Sequence, residues 1–363
     1  MVGTDKLPPI EENVPLSELT TLGVGGPACY LACCRTGGEL AALLAWARER
    51  DLEVFILGGG SNVLVSDAGF DGLVVQLIDE TVEFVEQGEG VLVRAAAGAD
   101  WDGLVARAVA VGLGGIECLS GIPGRVGAAP IQNVGAYGQE VSQTIEGVEV
   151  VELETGESQR LTAAECGFDY RYSHFKGRWR GRYAVTRVDF LLSLATAGAV
   201  KYSDLARRFA AGSPPTLRQV RDAVLEIRRA KSMILDADDP NRRSAGSFFV
   251  NPVVTAARVE ELRQSVQGSM PAFPAGRGRV KLSAAWLIEQ AGFRRGLRRG
   301  RAGLSSRHVL ALINRGGATA RELVALAAEV QAGVEQTFGI RLRPEPVFLG
   351  FAGDDPLADG GIG

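Results

Sequence analysis

The stretch Gly121-Ile-Pro-Gly-Arg-Val-Gly-Ala-Ala-Pro-Ile-Gln-Asn133 packs three glycines, two prolines and two alanines into thirteen residues. Side chains this small let something broad and flat approach the backbone. Gln132 and Asn133 can donate to carbonyls or accept from ring N–H groups. The stretch lies in a longer glycine-rich zone from Gly112 to Gly138, which closes with Tyr137 between Ala136 and Gly138. A plain connection between elements would carry the same residues, but long ordered loops are usually functional. The loop is therefore read as a ligand cradle, with Gly121, Ile122, Gly124, Gly127, Ala128, Pro130, Gln132 and Asn133 as its binding residues.

A second glycine loop, Leu57-Gly58-Gly59-Gly60-Ser61-Asn62, lies upstream between two strand-like runs, in VFILGGGSNVLVS. Three glycines let successive N–H groups converge on an anion, and Ser61 and Asn62 add side-chain donors. The nicotinamide-type fingerprint needs G-x-G-x-x-G opening a helix; here a strand follows. A bare glycine hairpin is the alternative for this loop taken alone.

The chain bounds what these loops serve. At 363 residues it exceeds one ordinary core, so two or three domains are expected. Apolar residues make up 46%, charged residues 23%, and the net charge is −4, which gives no attraction to nucleic acid or membrane surfaces. No run approaches the roughly 18 apolar residues of a membrane span, and the first residues show no basic-then-apolar leader. Five cysteines, Cys29, Cys33, Cys34, Cys118 and Cys166, have no zinc spacing, and two histidines, His174 and His308, exclude a multi-histidine metal centre. A reduced, cytoplasmic enzyme without a metal is expected.

Periodicity orders the rest. Leu40, Leu43, Leu44 and Ala47 share one helical face, and Trp101 to Val111 reads as a short helix. Val148 to Leu153 and Tyr183 to Leu194 read as strands. After Pro214-Pro215, Thr216-x-x-Gln219 opens a helix with Leu217, Val220, Val224 and Ile227 in line, and Thr319-x-x-Glu322 opens another with Leu323, Leu326, Val330 and Val334. A domain boundary is placed near residue 213. The segment 232–246 reads as a flexible hinge or surface loop, and the basic run Arg294 to Arg301 as a solvated face, with steering of phosphates as the alternative. One short run is ambiguous: in Ser244–Pro252, SAGSFFVNP, Ser247 is either a turn residue or a proton carrier in a water-poor site.

Seven motifs then occur in order: Gly23-Val-Gly-Gly26, LGGGSNVLVSDAGFDG (57–72), SGIPGRVGAAPIQNVGAYG (120–138), CGFDYRYSHFK (166–176), SAGSFFVNP (244–252), KLSAAWLIEQAGF (281–293) and PEPVFLG (344–350). Together they resemble the UDP-N-acetylenolpyruvoylglucosamine reductase family, over nearly everything from Leu16 to Gly350. The resemblance implies an α+β architecture: a two-domain FAD-binding unit of the vanillyl-alcohol-oxidase (PCMH) type plus a third α+β substrate-binding domain. The expected divisions are 1–72 for the first FAD lobe, 73–212 with 337–352 for the second, 213–336 for the substrate domain, and 353–363 as a disordered tail.

The resemblance also implies non-covalent FAD, reduction by NADPH, and reduction of an enolpyruvyl ether on a UDP-sugar for peptidoglycan synthesis. Arg171 and Glu345 would face the enolate and Ser247 would be the proton donor, with Phe248 and Phe249 as an apolar wall beside it. Tyr137, Tyr170, Tyr202, Lys231, Asn251 and His308 would contact substrate, and the YSDL at Tyr202 suggests the longer, type I form. Two rivals stand beside this reading. One is an alcohol oxidase of the same fold, with flavin attached through Cys118. The other is a non-catalytic nucleotide-sugar or flavin-binding regulator.

Overall fold

The protein is described by a computed structural model, which covers residues 6–195, 197–198, 200, 203–209, 213–266, 268–353 and 355–357. The chain divides into two compact units: Met1–Val14, Ala28–Gly60 and Asp71–Leu235 form the first, and Pro15–Pro27, Ser61–Phe70 and Asp236–Gly363 the second.

The first unit is built on two sheets. A four-stranded sheet has the order Ile10–Pro15, Pro27–Cys34, Phe70–Leu77, Glu53–Ile56, the last two strands being parallel. Helix α1 (Gly37–Arg48) covers it. Thr36 and Glu39 form a reciprocal capping box, and Leu40, Leu43, Leu44 and Ala47 are buried against Leu73 and Val75. A six-stranded sheet follows the path Ser158–Thr162, Ile145–Glu152, Tyr183–Leu194, Gly90–Ala96, Val82–Gln87, all antiparallel, with Leu113–Gly114 pairing beside it. Helix α2 (Trp101–Ala110) packs Trp101, Leu104, Val105 and Ala108 onto its Val93, Ala95 and Phe190. Trp101 meets Phe190 edge-on at 5.9 Å, and its indole N–H donates to Leu119 O at 3.0 Å.

Helices α3 (Ser203–Arg208) and α4 (Leu217–Ala230) complete this unit. The Thr216–Gln219 capping box starts α4 as the sequence predicts. The expected boundary at 213 is displaced, however. The apolar face of α4, Val220, Ala223 and Val224, packs on Cys118 and Leu205, so the helix belongs with the glycine-loop region and the change of unit comes after Leu235. Amphipathic spacing shows that a face is buried, but carries no information on which core receives it.

The second unit holds α5 (Ala256–Ser265), α6 (Ala284–Gln290) and α7 (Ala320–Phe338) around one core, in which Leu287, Ile288, Leu323, Leu326, Val330 and Val334 are buried. Two three-stranded antiparallel sheets line it: Val253–Thr255, Arg279–Leu282, Ala272–Pro274, and Arg298–Arg299, Ala302–Leu304, Leu312–Asn314. The segment 337–352, expected with the second FAD lobe, lies here instead. Gly339 ends α7 in the left-handed conformation, and Val347–Leu349 then pairs in parallel with Val63–Val65. Because that pairing captures 61–70 as well, the expected 1–72 lobe is interrupted.

Two further expectations are corrected here. Leu357 is 1% exposed in this core, and Arg341 Nη2 donates to its carbonyl at 2.6 Å, so the described part of the tail is pinned rather than disordered. Between Asp236 and Gly246, Asp239 and Asn241 are buried, and Asn241 exchanges hydrogen bonds with Ser306. That stretch is therefore ordered rather than a hinge. Phe248 and Phe249 are core anchors, 0% and 1% exposed and packed edge-on at 5.2 Å. The basic run is a solvated face as expected, with Arg299 held bidentate by Glu329 of α7.

Candidate active site

In the first unit the two glycine loops touch. A Cβ on Gly59 would lie 2.9 Å from Gly124 Cα, and one on Gly58 would lie 3.6 Å from Ala128 Cβ. Glycine at 59 is thus required by a backbone-to-backbone approach that no side chain permits. Gly60, Gly121 and Gly124 have φ of 61°, 70° and 132°, which glycine alone adopts without strain. Among the described residues, the N–H groups of Gly58, Gly59, Gly60, Ile122 and Gly124 donate to no protein acceptor. Gly60 is buried and Gly58, Ile122 and Gly124 are half-buried, where amides ordinarily find a partner; with the exposed Gly59 they form a donor set without a protein anion. Gly127 differs: its N–H bonds to Ala97 O at 2.9 Å, and its missing Cβ makes room for Ala97. Pro130 is buried and accepts from Asn133 N–H, which shapes the turn.

This donor set suits FAD. Unspent amides on a glycine nest bind a diphosphate, and the absence of side chains admits a flat ring.

Backbone strain gathers in the next segment. Asn133, Tyr137 and Arg171 all have φ near +50°, a conformation costing roughly 1–3 kcal/mol for a residue with a Cβ. Such strain persists only where neighbours enforce it, and Asn133 shows how. It is 1% exposed, its Nδ2 donates to Glu140 Oε2 at 2.9 Å and to Asp169 O at 3.0 Å, and its Oδ1 accepts from Ser142 N–H at 3.1 Å. The side-chain N–H groups of Asn133 are therefore both spent within the protein. The residue ties the glycine loop to the segment carrying Tyr170 and Arg171. Arg171 Nη2 donates to Gly135 O at 2.6 Å, and its guanidinium lies 5.6 Å from the Tyr170 ring. A Cβ at Gly135 would sit 3.1 Å from Arg171 Nη1, so this glycine also serves a close approach. Gln132 and Tyr137 are half-buried in the same region.

Sequence reasoning missed Arg228. It lies on α4, is 9% exposed, donates to Met233 O at 2.6 Å, and has a buried Nε without a partner. That Nε lies 3.5 Å from where a Cβ on Gly121 would be. Burial pushes its pKa down, Tyr137 and Asp102 oppose this, and the charge of Arg171 adds to the lowering. An arginine remains a cation under such pressure, so a fixed positive charge stands behind the glycine loop. The missed signal was its position, four residues past Val224 on the buried face of α4. Lys231 caps α4 at its C-terminus, and Tyr202 lies outside the described residues.

In the second unit the backbone brings Ser247 and Glu345 into one strip. Glu345 N–H donates to Phe248 O at 2.8 Å, Val250 N–H donates to Arg343 O at 3.0 Å, and Phe249 bridges Pro344. Asn62, expected at the cofactor, brackets this segment: its Nδ2 donates to Glu345 O at 3.3 Å and its carbonyl accepts from Val347 N–H at 2.9 Å. Ser61 is beside it, while Leu57 is buried in the first unit with its N–H on Val75 O. Ser247 and Glu345 are both half-buried, and Gly246, at φ 67°, turns the chain into the strip. Asn251 Oδ1 accepts from Ala284 N–H at 2.8 Å, so this atom holds the start of α6 rather than standing open to substrate. His308 is half-buried in the turn after Ser305, whose Oγ accepts its N–H at 3.4 Å.

Comparison with known proteins agrees with this division. Residues 28–162 match the model of an FAD binding domain, and residues 238–349 match the UDP-N-acetylenolpyruvoylglucosamine reductase, C-terminal domain. A solved 6-hydroxy-D-nicotine oxidase from Arthrobacter nicotinovorans shares the fold, with a TM-score of 0.52 over 94% of this chain and 88% of that one at 15% identity. The fold and the amide-lined loops thus define an α+β flavoprotein, with an FAD-binding unit of the vanillyl-alcohol-oxidase type joined to a further α+β domain. A UDP-N-acetylenolpyruvoylglucosamine reductase from Thermobifida fusca is 49% identical over 93% of this chain and 97% of its own, and one from Nocardia farcinica 47% identical over 94% and 90%. The crystal structure of the corresponding reductase from Thermus caldophilus superposes with a TM-score of 0.64 at 28% identity, covering 94% of this chain and all of that one. The chain belongs to the UDP-N-acetylenolpyruvoylglucosamine reductase family.

Proposed function

We infer that the protein reduces the enolpyruvyl group of UDP-N-acetylglucosamine enolpyruvate to the lactyl ether of UDP-N-acetylmuramate, with FAD and NADPH, in peptidoglycan precursor synthesis. Family membership over nearly the whole chain supports the reaction. The single structural observation that supports the reading is the pairing of Glu345 N–H with Phe248 O, which brings the backbone of Glu345 beside the segment that carries Ser247.

FAD reduced by NADPH supplies the hydride that adds to the methylene carbon of the substrate. The remaining work falls to the chain. Hydride addition leaves an electron pair on the neighbouring carbon, shared with the carboxylate as an enolate. Arg171, its guanidinium anchored on Gly135 O, offers a fixed cation to that charge. Ser247 Oγ gives its proton to the enolate carbon and regains one from solvent, completing the saturated ether. Glu345, carried on the segment that pairs with Phe248, faces the enolate beside Arg171. The amides of Gly58, Gly59, Gly60, Ile122 and Gly124 would hold the FAD diphosphate, with Arg228 behind them. Lys231, Tyr137, Tyr170, Tyr202 and His308 contact the nucleotide-sugar.

Cys118 argues against the covalent-flavin oxidase. It is fully buried, and burial, followed by the charge of Glu117, pushes its thiol up to about 12, so almost no thiolate is available for attachment. A non-catalytic regulator has no use for Ser247, Arg171 and Glu345 together. The enzyme works as a cytoplasmic monomer without nucleic-acid or membrane partners in this proposal.

The test is a visible spectrum of the purified protein followed by anaerobic titration. Flavin bands should bleach with NADPH and return on adding the enolpyruvyl substrate. Colour that stays with the denatured polypeptide, or bleached flavin that the substrate leaves unchanged, would overturn the reading.

A further inference from the structure

Asp102, the second residue of α2, reaches out of its helix to the first glycine of the 121–133 loop. Its Oδ1 accepts from Gly121 N–H at 2.6 Å and from Arg221 Nη1 at 2.6 Å, while Oδ2 accepts from Arg221 Nη2 at 2.9 Å. The side chains are 33% and 15% exposed, so this is a fork-to-carboxylate pair largely out of solvent rather than a loose surface bridge. Burial alone would raise the Asp102 carboxyl. The hydrogen bonds from Arg221 and Gly121, with the charges of Arg221 and Arg228, outweigh it and hold the carboxyl below the usual range.

Helix α4 meets the same glycine from its other side. A Cβ at Gly121 would stand 2.8 Å from Leu225 Cδ2 and 3.5 Å from Arg228 Nε. Arg221, Leu225 and Arg228 recur at four and three residues, so one face of α4 covers the start of the loop. The amides of Ile122 and Gly124, which have no protein acceptor among the described residues, follow directly. Their directions depend on the dihedrals of Gly121, the least restricted residue type.

We propose that Arg221, acting through Asp102, is a positioning residue for the flavin diphosphate: the ion pair holds Gly121 N–H and so aims the Ile122 and Gly124 amides. The proposal rests on the reading that this loop binds FAD. A brace that merely joined α2 to α4 would engage only the two side chains. Here Oδ1 is shared between the guanidinium and the loop amide. Without Arg221, a half-buried carboxylate keeps one donor, rotates toward water and releases the loop.

The experiment measures the FAD dissociation constant by recovery of flavin fluorescence, and the urea midpoint of the apoprotein, for wild type, Arg221→Met, Arg221→Lys, Asp102→Asn and the double variant Asp102→Asn/Arg221→Met. Arg221→Met should weaken FAD about tenfold, as expected for losing a charged hydrogen-bond partner. Arg221→Lys should recover part of this, because an ammonium spans one carboxylate oxygen but not both. The double variant should be no worse than the weaker single variant. FAD affinity within twofold of wild type in Asp102→Asn and Arg221→Lys, even with a lowered urea midpoint, would make the pair a purely structural brace and overturn the proposal. Wild-type protein that takes up no FAD would instead remove the reading of the loop, and the proposal with it.

Discussion

Alanine at Gly59 and at Gly58 separates the contribution of loop contact from that of ligand space. The two positions are adjacent, and neither has the positive φ that would strain an alanine. Both substitutions therefore gain the same unfolded-state term, about 0.4–1 kcal/mol, which cancels in a comparison. They differ in clearance. The Gly59 methyl would be 2.9 Å from Gly124 Cα, a backbone atom that cannot swing aside, while the Gly58 methyl would be 3.6 Å from Ala128 Cβ, an ordinary contact. Pushing apart two packed backbones costs about 1–3 kcal/mol. Gly59→Ala apoprotein should therefore be less stable than Gly58→Ala by that amount, a gap of roughly 2–10 °C in melting temperature. Differential scanning fluorimetry of the two apoproteins reads this directly, and FAD titration follows. Gly59→Ala should also bind FAD more weakly, since the amides of Gly59 and Gly124 move apart. Equal melting temperatures would refute the close approach of the loops. A stable Gly58→Ala protein with poor FAD affinity would show that the Gly58 face opens on the ligand.

Other expectations follow from the two units. Ser247→Ala should leave NADPH-driven bleaching of the flavin intact and slow reoxidation by the enolpyruvyl substrate by orders of magnitude, measured by stopped-flow absorbance; equal loss in both half-reactions would remove Ser247 from the proton-donor role. Burial holds the thiols of Cys34, Cys118 and Cys166 near 12. At pH 8 only about one thiol in ten thousand is then ionised, so mass spectrometry after brief alkylation should find label on Cys29 and Cys33 first. Raising the pH toward 12 should extend labelling to the buried three, and rapid labelling of Cys118 at pH 8 would contradict its burial.

Much of the fold is legible before any coordinates. The apolar face of α1, the capping boxes of α4 and α7, and the strand Tyr183–Leu194 all appear where periodicity predicts them, because each depends on residues within one or two turns of one another. The two glycine loops are legible for the same reason: a left-handed or side-chain-free backbone is a local demand that glycine answers. What periodicity misassigned was partnership. The buried face of α4 is as plain in the sequence as that of α7, yet the core that receives it, around Cys118 and Leu205, is not.

The site divides along the same line. In the sequence Asn62 and Asn133 read as side-chain amides that meet a ligand, and the structure gives the former a bracket on Glu345 and the latter a clamp on Asp169. Arg228 and the Asp102–Arg221 pair passed unnoticed, since each looks in isolation like a solvated charge on a helix. By itself the sequence determined which segments curl, which helices begin where they do, and which residues carry proton- and anion-directed chemistry, all properties of neighbours along the chain. Only the tertiary structure decided which amides stay unspent and which charges are buried. Those are set by atoms that meet across 36 residues, as Asn133 and Asp169 do, or 119, as Asp102 and Arg221 do, and no local pattern encodes such a meeting.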